Sequence, residues 1–287
     1  MNLATAAAVE SALGRRVIET RPVPGGDIND AVTATLDDGS AVFVKTNPRA
    51  ADLPGLFAAE AAGLEALRAA AADADGLCVP QVLAVGDDFL VLELIEPAPP
   101  PPDYEPQLGR GLAQLHHATR GTRFGWPSCN YLGRWPQPPA DAADPAAFWR
   151  DARLLPMLAG LTAYPEIVTL GRRLADRLDD LLTGGEPESV LIHGDLWSGN
   201  AAADRRGRVW VYDPACACAN REVEFGMTRL FGFGPDFEQA YQEVWPLPAG
   251  WEQRVEVYRL HHLLSHLWHF GGPYAASSLD LLRRLTG

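Results

Sequence analysis

The order of apolar and polar positions divides the chain in two. Strand-like runs occupy residues 17–23 (VIETRPV) and 31–36 (AVTATL), and residues 41–45 (AVFVK) alternate with the period of a half-buried strand. Residues 53–72 (LPGLFAAEAAGLEALRAAAA) switch period: Leu56, Glu60, Leu64 and Leu67 recur near helical spacing. A further apolar run, LVLELIE at residues 90–96, precedes the proline run Ala98–Pro102, which breaks both patterns. Beyond it come mainly long helical patterns, interrupted near residues 190–213 by a loop and a hairpin whose polar turn spans Asp204 to Gly207. No fixed-period repeat occurs. The pattern predicts an α+β chain with a strand-rich part over residues 1–97 and a mainly helical part over residues 98–287. A chain of 287 residues, 47% hydrophobic, is ample for a core in each part.

The hairpin carries the chemistry. The segment HGDLWSGN runs from His193 to Asn200, and the strand after the turn ends at Asp213 in VWVYDPA. Phosphoryl transfer needs a carboxylate to receive the acceptor hydroxyl's proton, with a carboxamide and a second carboxylate to hold Mg²⁺ against the phosphates. Asp195, Asn200 and Asp213 supply those groups in the order and spacing of an HxD kinase loop followed by a metal-binding Asp. An HGD tripeptide alone is equally compatible with an ordinary turn, so independent features decide its weight.

The basic residues provide one. Of 24 Lys and Arg, 23 are Arg, and Lys45 is the single lysine. In a chain that uses Arg wherever a generic cation suffices, the surviving lysine marks a place where a compact ammonium is required. Lys45 ends a predicted strand, the position from which a kinase lysine reaches the α and β phosphates. Such a lysine is steadied by a helical glutamate; Glu60 is the first candidate and Glu65 the alternative. Gly25 and Gly26 lie between two predicted strands, where a turn can lay backbone amides over phosphates. There is neither a full GxGxxG nor a Walker GxxxxGK, which disfavours a P-loop kinase.

With these positions assembled, the chain resembles the fructosamine kinase (ketosamine-3-kinase) family nearly from end to end. The matching stretches are GGDINDA, FVKTN, FAAEAAGL, LVLELIE, LGRGLAQLH, FGWPSCNYLG, HGDLWSGN, YDPACACANREVEFGMTRLFG and HHLLSHLWHFGG. Aminoglycoside and choline kinases share the HGD, Asn and Asp skeleton, but usually without the context of Trp197 and of Arg221 with Glu222. Two departures stand out: Asn220 replaces a common His, and LFGFG replaces LFGGF.

The resemblance implies a protein-kinase-like two-lobe fold: a small lobe of antiparallel sheet and helix, and a larger, mainly helical lobe. It implies ATP and Mg²⁺ as cofactors and a ketosamine, free or on a glycated protein, as acceptor, phosphorylated at the third sugar carbon. The product would shed its amine, so the role would be repair of glycated amines. Backbone near Glu93, Leu94 and Ile95 would bind adenine; His266 would contact the sugar. Trp197 would stack on the sugar's C–H face or fill the core. Where a protein kinase carries an Arg before the catalytic Asp, this chain has Gly194, so no phosphorylation switch of that type is expected. A kinase for another hydroxylated amine, and a non-catalytic nucleotide-binding module, remain as alternatives.

Composition narrows the partners. A formal net charge of −13 disfavours nucleic acid, whose binding rests on clustered Lys and Arg. No apolar run reaches membrane-spanning length, and the first residues lack a leader pattern, so a cytoplasmic, non-membrane protein is expected. Cys78, Cys129, Cys216 and Cys218 make no disulfide framework, and the CxC at Cys216 and Cys218 reads as small packed side chains. His262, His266 and His269 share a helical face, but zinc usually takes four ligands and no Cys or carboxylate accompanies them. Trp149 reads as packing.

Overall fold

The computed structural model describes residues 1–24, 29–72 and 76–287. Helix α1 (Leu3–Leu13) starts at Asn2, whose side chain accepts the Thr5 amide at 2.9 Å, and stops at Gly14, a left-handed residue with φ 65°. Strands β1 (Val17–Pro22), β2 (Asp30–Leu36) and β3 (Ala41–Thr46) follow, then helix α2 (Leu56–Ala72) and strands β4 (Leu77–Cys78), β5 (Val82–Val85) and β6 (Phe89–Glu93). All but β4 form one antiparallel sheet in the order β1-β2-β3-β6-β5.

Strand alternation sends this sheet's side chains into two cores. Val42 and Val44 of β3 join Val9 of α1, Val32, Ala34 and Val91 on one face. Phe43 and, two residues on, Lys45 take the other face, toward α2. There Phe57, Leu64 and Leu67 pack with Leu90 and Leu92, and the same core continues into Leu108, Leu112, Leu191 and Phe225 of the second half. Each such fully buried side chain contributes about 1.5–3 kcal/mol. The hydrophobic contact between the halves is therefore continuous.

The second half opens with strand β7 (Pro97–Ala98) and helix α3 (Tyr104–Ala118). Short strands β8 (Phe124–Trp126), β9 (Asn130–Leu132), β10 (Trp135–Gln137) and β11 (Ala140–Ala142) lead to a helical stretch made of α4 (Pro145–Trp149), a π-helical segment (Arg150–Leu154) and α5 (Leu155–Ala159). Helices α6 (Pro165–Ala175) and α7 (Leu178–Leu181) precede β12 (Val190–Ile192), β13 (Ala201–Asp204), β14 (Val209–Val211) and β15 (Ala217–Ala219). Helices α8 (Glu224–Phe231), α9 (Pro235–Val244), α10 (Trp251–Phe270) and α11 (Ala275–Thr286) complete the chain.

Two four-stranded sheets flank the site: β11-β8-β15-β12, and β4-β14-β13-β7. The second draws strands from both sides of the proline run. Leu77 and Cys78 run parallel to Val209 and Trp210, and Ala98 pairs with Ala203, so both short strands belong to the catalytic hairpin's sheet. Pro97 is tolerated there because β7 is an edge strand. Trp149 lies in the larger core beside Tyr258, as read from the sequence.

Candidate active site

The HGD loop leaves β12 and is clamped from behind. Gly194 has φ 80°, and a Cβ at this position would stand 2.2 Å from the Ala215 carbonyl oxygen, so neither Arg nor any other side chain fits. The His193 carbonyl accepts the Ala215 amide at 2.9 Å. Glu224, at the start of α8, accepts the amides of both His193 (2.7 Å) and Gly194 (2.8 Å). The His193 Nε2 lies 2.9 Å from the Tyr212 carbonyl and therefore carries the proton; Nδ1 is left to accept the Asp195 amide at 3.3 Å. Burial holds His193 below its ordinary pKa, which keeps the neutral tautomer this pattern needs.

Asp195 and Asn200 face each other across the loop. The Asn200 Nδ2 donates to the Asp195 carbonyl (2.9 Å), to Asp195 Oδ2 (3.3 Å) and to the Asp213 carbonyl (3.4 Å). Burial, reinforced by the charge of Asp213, holds the Asp195 carboxyl well above the usual carboxylate range.

The Lys45 Nζ sits between two carboxylates, 2.8 and 2.9 Å from the Glu60 oxygens and 2.6 Å from Asp213 Oδ1. Glu60, not Glu65, is therefore the partner. Asp213 follows β14 with φ 59°, a left-handed conformation that Asp tolerates better than most residues and that marks functional strain. One ammonium cannot neutralise both carboxylates. Burial alone would lower the Lys45 pKa, but Asp213 and Glu60 together hold it above its ordinary value. Burial would raise Asp213, yet Lys45 outweighs it and the carboxyl lies low. Glu60 takes the remainder: burial, helped by the Asp213 charge against the opposing pull of Lys45, pushes it up to about 7.

Other predicted positions fall as follows. Gly25 and Gly26 lie outside the described residues. Glu93 ends β6, with its amide on the Gln81 carbonyl at 2.9 Å and its carboxylate on the Gln81 amide at 3.1 Å; Leu94 and Ile95, half-buried, lead on to β7. Asn220 is a buried structural amide, donating to the Glu186 carbonyl (2.8 Å) and accepting the Tyr258 hydroxyl (3.2 Å).

Trp197 and His266 flank Phe231. The Trp197 ring meets Phe231 edge-on at 6.5 Å, the His266 ring lies 4.9 Å from it, and the Ser198 hydroxyl donates to the Phe231 carbonyl at 2.9 Å. Phe270 and Tyr274 complete an aromatic ring around His266 at 5.8 and 5.1 Å. The His266 Nδ1 donates to the His262 carbonyl at 2.7 Å, so Nε2 is the unprotonated nitrogen, and burial keeps the imidazole below its ordinary pKa. On the same helix, His269 accepts the Arg134 amide through Nε2 at 2.9 Å.

Glu224 escaped the sequence reading, as did the supports that hold it. Arg221 makes two short bonds to Glu186 (2.6 and 2.7 Å), donates to the Trp245 and Pro246 carbonyls and stacks 4.0 Å over the Trp245 ring. Glu222 forms a buried two-pronged pair with Arg254 of α10 at 2.7 and 2.8 Å. REVE is thus an anchor: Arg221 and Glu222 fix the start of α8, and α8 delivers Glu224 to the loop.

A family model described as fructosamine kinase matches residues 1–286. The chain belongs to the fructosamine kinase family. It is 36% identical over 269 residues to the chloroplastic protein-ribulosamine 3-kinase of Oryza sativa subsp. indica, covering 91% of this chain and 76% of the relative. It is 35% identical to a probable ketoamine kinase of Synechocystis sp., covering 94% of this chain and 90% of that one. A solved structure of a candidate fructosamine-3-kinase from Thermobifida fusca superposes with a TM-score of 0.85 at 32% identity, covering 98% and 97% of the two chains. The streptomycin–ATP complex of APH(2")-IIa, at 13% identity and a TM-score of 0.63 over 99% and 96% of the chains, places the fold with the protein-kinase-like phosphotransferases. Membership makes this fructosamine kinase relative an ATP-dependent phosphotransferase. Among the described residues no helix is long and apolar enough to cross a membrane.

The family's chemistry implies Mg²⁺, and the donor set fits it. Asp213 offers a carboxylate, and Asn200, whose amide nitrogen is used by Asp195 and Asp213, has a side-chain oxygen that would serve as a second ligand. Two protein donors suit Mg²⁺, which keeps several waters and is otherwise held by substrate phosphates.

Proposed function

We propose that the chain transfers the γ-phosphoryl group of ATP to a hydroxyl of ketosamines, the fructosamine and ribulosamine adducts of amines, at the third sugar carbon, in cytoplasmic repair of glycated amines. The observation that carries this reading is the convergence of Lys45, Glu60, Asp213, Asn200 and Asp195 through direct contacts; Trp197, two residues beyond Asp195, shares the Phe231 ring with His266.

In this reading residues 1–97 hold the nucleotide and residues 98–287 supply the catalytic loop and acceptor site. Lys45 contacts the α and β phosphates and Glu60 steadies it; Gly25 and Gly26, the other phosphate-binding candidates, lie outside the described residues. Adenine binds the backbone at Glu93 to Ile95; the Glu93 amide is already taken by Gln81, so the Glu93 carbonyl, Leu94 and Ile95 carry the contact. Asp213 and Asn200 hold Mg²⁺, which when bound neutralises charge on the transferring phosphate oxygens. Asp195 accepts the proton of the sugar hydroxyl at a carboxylate oxygen that Asn200 orients. Trp197 stacks on the sugar and His266 Nε2 hydrogen-bonds a hydroxyl.

The test is a screen for ADP release by the purified protein with fructosamines, ribulosamines, aminoglycosides and choline. Turnover is expected with the ketosamines. Turnover with aminoglycosides or choline, and none with ketosamines, would replace the acceptor assignment with that of another hydroxylated amine.

A further inference from the structure

Against Gly194 and Ala215 of the loop region lies a small chamber that the phosphoryl-transfer reading does not use. Its walls are Gly194 and Ala215 of the loop region, Gln137 of β10, Arg153 of the π-helical segment, and His261 and His262 of α10. We propose that this chamber is a binding site for one monovalent anion of chloride size, held by Arg153 and flanked by the two histidines.

The argument begins with an unpaired cation. Arg153 is 3% exposed and, among the described residues, makes no ion pair with a carboxylate. Its Nη1 donates to the Ala152 carbonyl at 2.9 Å and the Pro138 carbonyl at 3.5 Å, its guanidinium lies 4.7 Å over the Phe148 ring, and its Nη2 has no hydrogen-bond partner. The local backbone is unusual: α4 and α5 are joined through a π-helical turn, a feature that recurs at functional sites. A buried charge with neither countercharge nor full hydrogen bonding is among the costliest arrangements a core can hold.

The neighbours do not neutralise it. Burial pulls Arg153 down to about 9, so it keeps its charge at neutral pH. The ionisable group beside it is the Cys129 thiol, which burial pushes up and thus keeps uncharged. His261 and His262 are neutral, the latter held down to about 3 by burial and by His266. They nonetheless offer hydrogen-bonding groups, because neither ring nitrogen of His261 nor Nδ1 of His262 has a partner. The chamber therefore presents one positive charge and uncommitted polar nitrogens.

Size limits the occupant. The cavity measures about 10 Å³, close to the least space that takes one water-sized particle. Phosphate, sulfate and carboxylates are excluded. Water fits but leaves the charge uncompensated; a chloride ion, somewhat larger than a water, cancels it once the side chains around the chamber give slightly.

The test uses the wild-type protein first. Crystals soaked in sodium bromide are expected to show an anomalous peak between Arg153 and His261. In solution, replacing gluconate by chloride at constant ionic strength is expected to raise the thermal midpoint by about 5 °C, saturably, as for any ligand that binds only the folded state. Arg153→Met is expected to abolish that response. Absence of the bromide peak, with midpoints that follow ionic strength whatever the anion, would overturn the proposal in favour of an ordinary buried water. A folded Arg153→Met protein that retained the chloride response would overturn it too. If that variant does not fold, the bromide peak decides.

Discussion

Glu224 accepts the Gly194 amide at 2.8 Å through one carboxylate oxygen and the adjacent His193 amide at 2.7 Å through the other, so a single buried side chain fixes the loop that carries Asp195. Its far side faces His116, whose Nε2 lies 3.7 Å away and whose Nδ1 is 2.8 Å from the Tyr241 hydroxyl. Burial alone would raise the Glu224 pKa, but His116, His193 and the loop amides outweigh it and hold the carboxyl below its ordinary value.

Glu224→Gln keeps the shape and sets an NH₂ group against a backbone amide. The loss of one buried acceptor is expected to cost about 1–3 kcal/mol in thermal unfolding, and kcat to fall about tenfold or more with nucleotide affinity little changed. The pH dependence has a definite sign. A depressed folded-state pKa stabilises above the ordinary glutamate pKa and is lost as pH falls through the folded value, so the wild type weakens on acidification and the variant lacks that component. Unaltered stability and kcat would reduce Glu224 to a bystander.

The lone lysine gives the next prediction. Lys45 fits between Glu60 and Asp213 with contacts of 2.6–2.9 Å, a gap for a compact ammonium and not for a planar guanidinium. Lys45→Arg is expected to lower kcat/KM on the order of 10²-fold while the fold is retained. An amine-reactive ATP analogue is expected to label this internal residue alone, with MgATP protecting it. An active Arg variant would remove Lys45 from the phosphate site.

What was legible in the sequence was local or chemically conspicuous. Asp195 and Asn200 share one loop, Asp213 follows on the next strand, and Lys45 and Glu60 stand out by lysine scarcity and helical spacing. What was not legible depends on chain segments that meet only in three dimensions. Glu224 is the last residue of REVE, after the visible Arg221 and Glu222, yet its role arises from the approach of α8 to the end of β12. Phe270 meets His266 at i+4 on the same helix, but Phe231 and Tyr274 reach it from other elements, and no periodicity signals that. Strands β8 to β11 have three residues each, too short for a period of two to show. The π turn at Arg150–Leu154 keeps a helical pattern and shows only as misplaced hydrogen bonds.

Asp195 and Asp213 should fail differently. Asp195→Asn removes the proton acceptor and keeps the shape, so turnover is expected to fall by about 10²–10⁴ with nucleotide binding intact. Because burial and the charge of Asp213 raise the Asp195 pKa, the wild-type acid limb of kcat should lie above the ordinary carboxylate range, activity rising as the carboxyl deprotonates. Asp213→Ala removes a hard oxygen ligand and is expected to raise the Mg²⁺ requirement and weaken metal–nucleotide binding. Steady-state kinetics against Mg²⁺ and nucleotide titrations separate the two; wild-type-like turnover in the first variant, or unchanged Mg²⁺ dependence in the second, would reject the respective role.

The acceptor side is tested through the two residues that flank Phe231. Trp197 and His266 touch that ring from different elements, and both are only partly buried, so each can meet a bound sugar without unpacking the core. Interactions made with the acceptor alone should affect acceptor kinetics alone. Trp197→Ala and His266→Ala are accordingly expected to lower kcat/KM for a ketosamine by about 10- to 100-fold while basal ATP hydrolysis and nucleotide affinity stay near wild type. The mechanisms differ: Trp197→Phe should recover much of the loss because a stacking face returns, whereas His266→Phe should not, because the Nε2 hydrogen bond is gone. Parallel loss of ketosamine kinase and ATPase activity would point to disruption of the loop through Ser198 and Phe231, and unchanged acceptor kinetics would return both rings to packing.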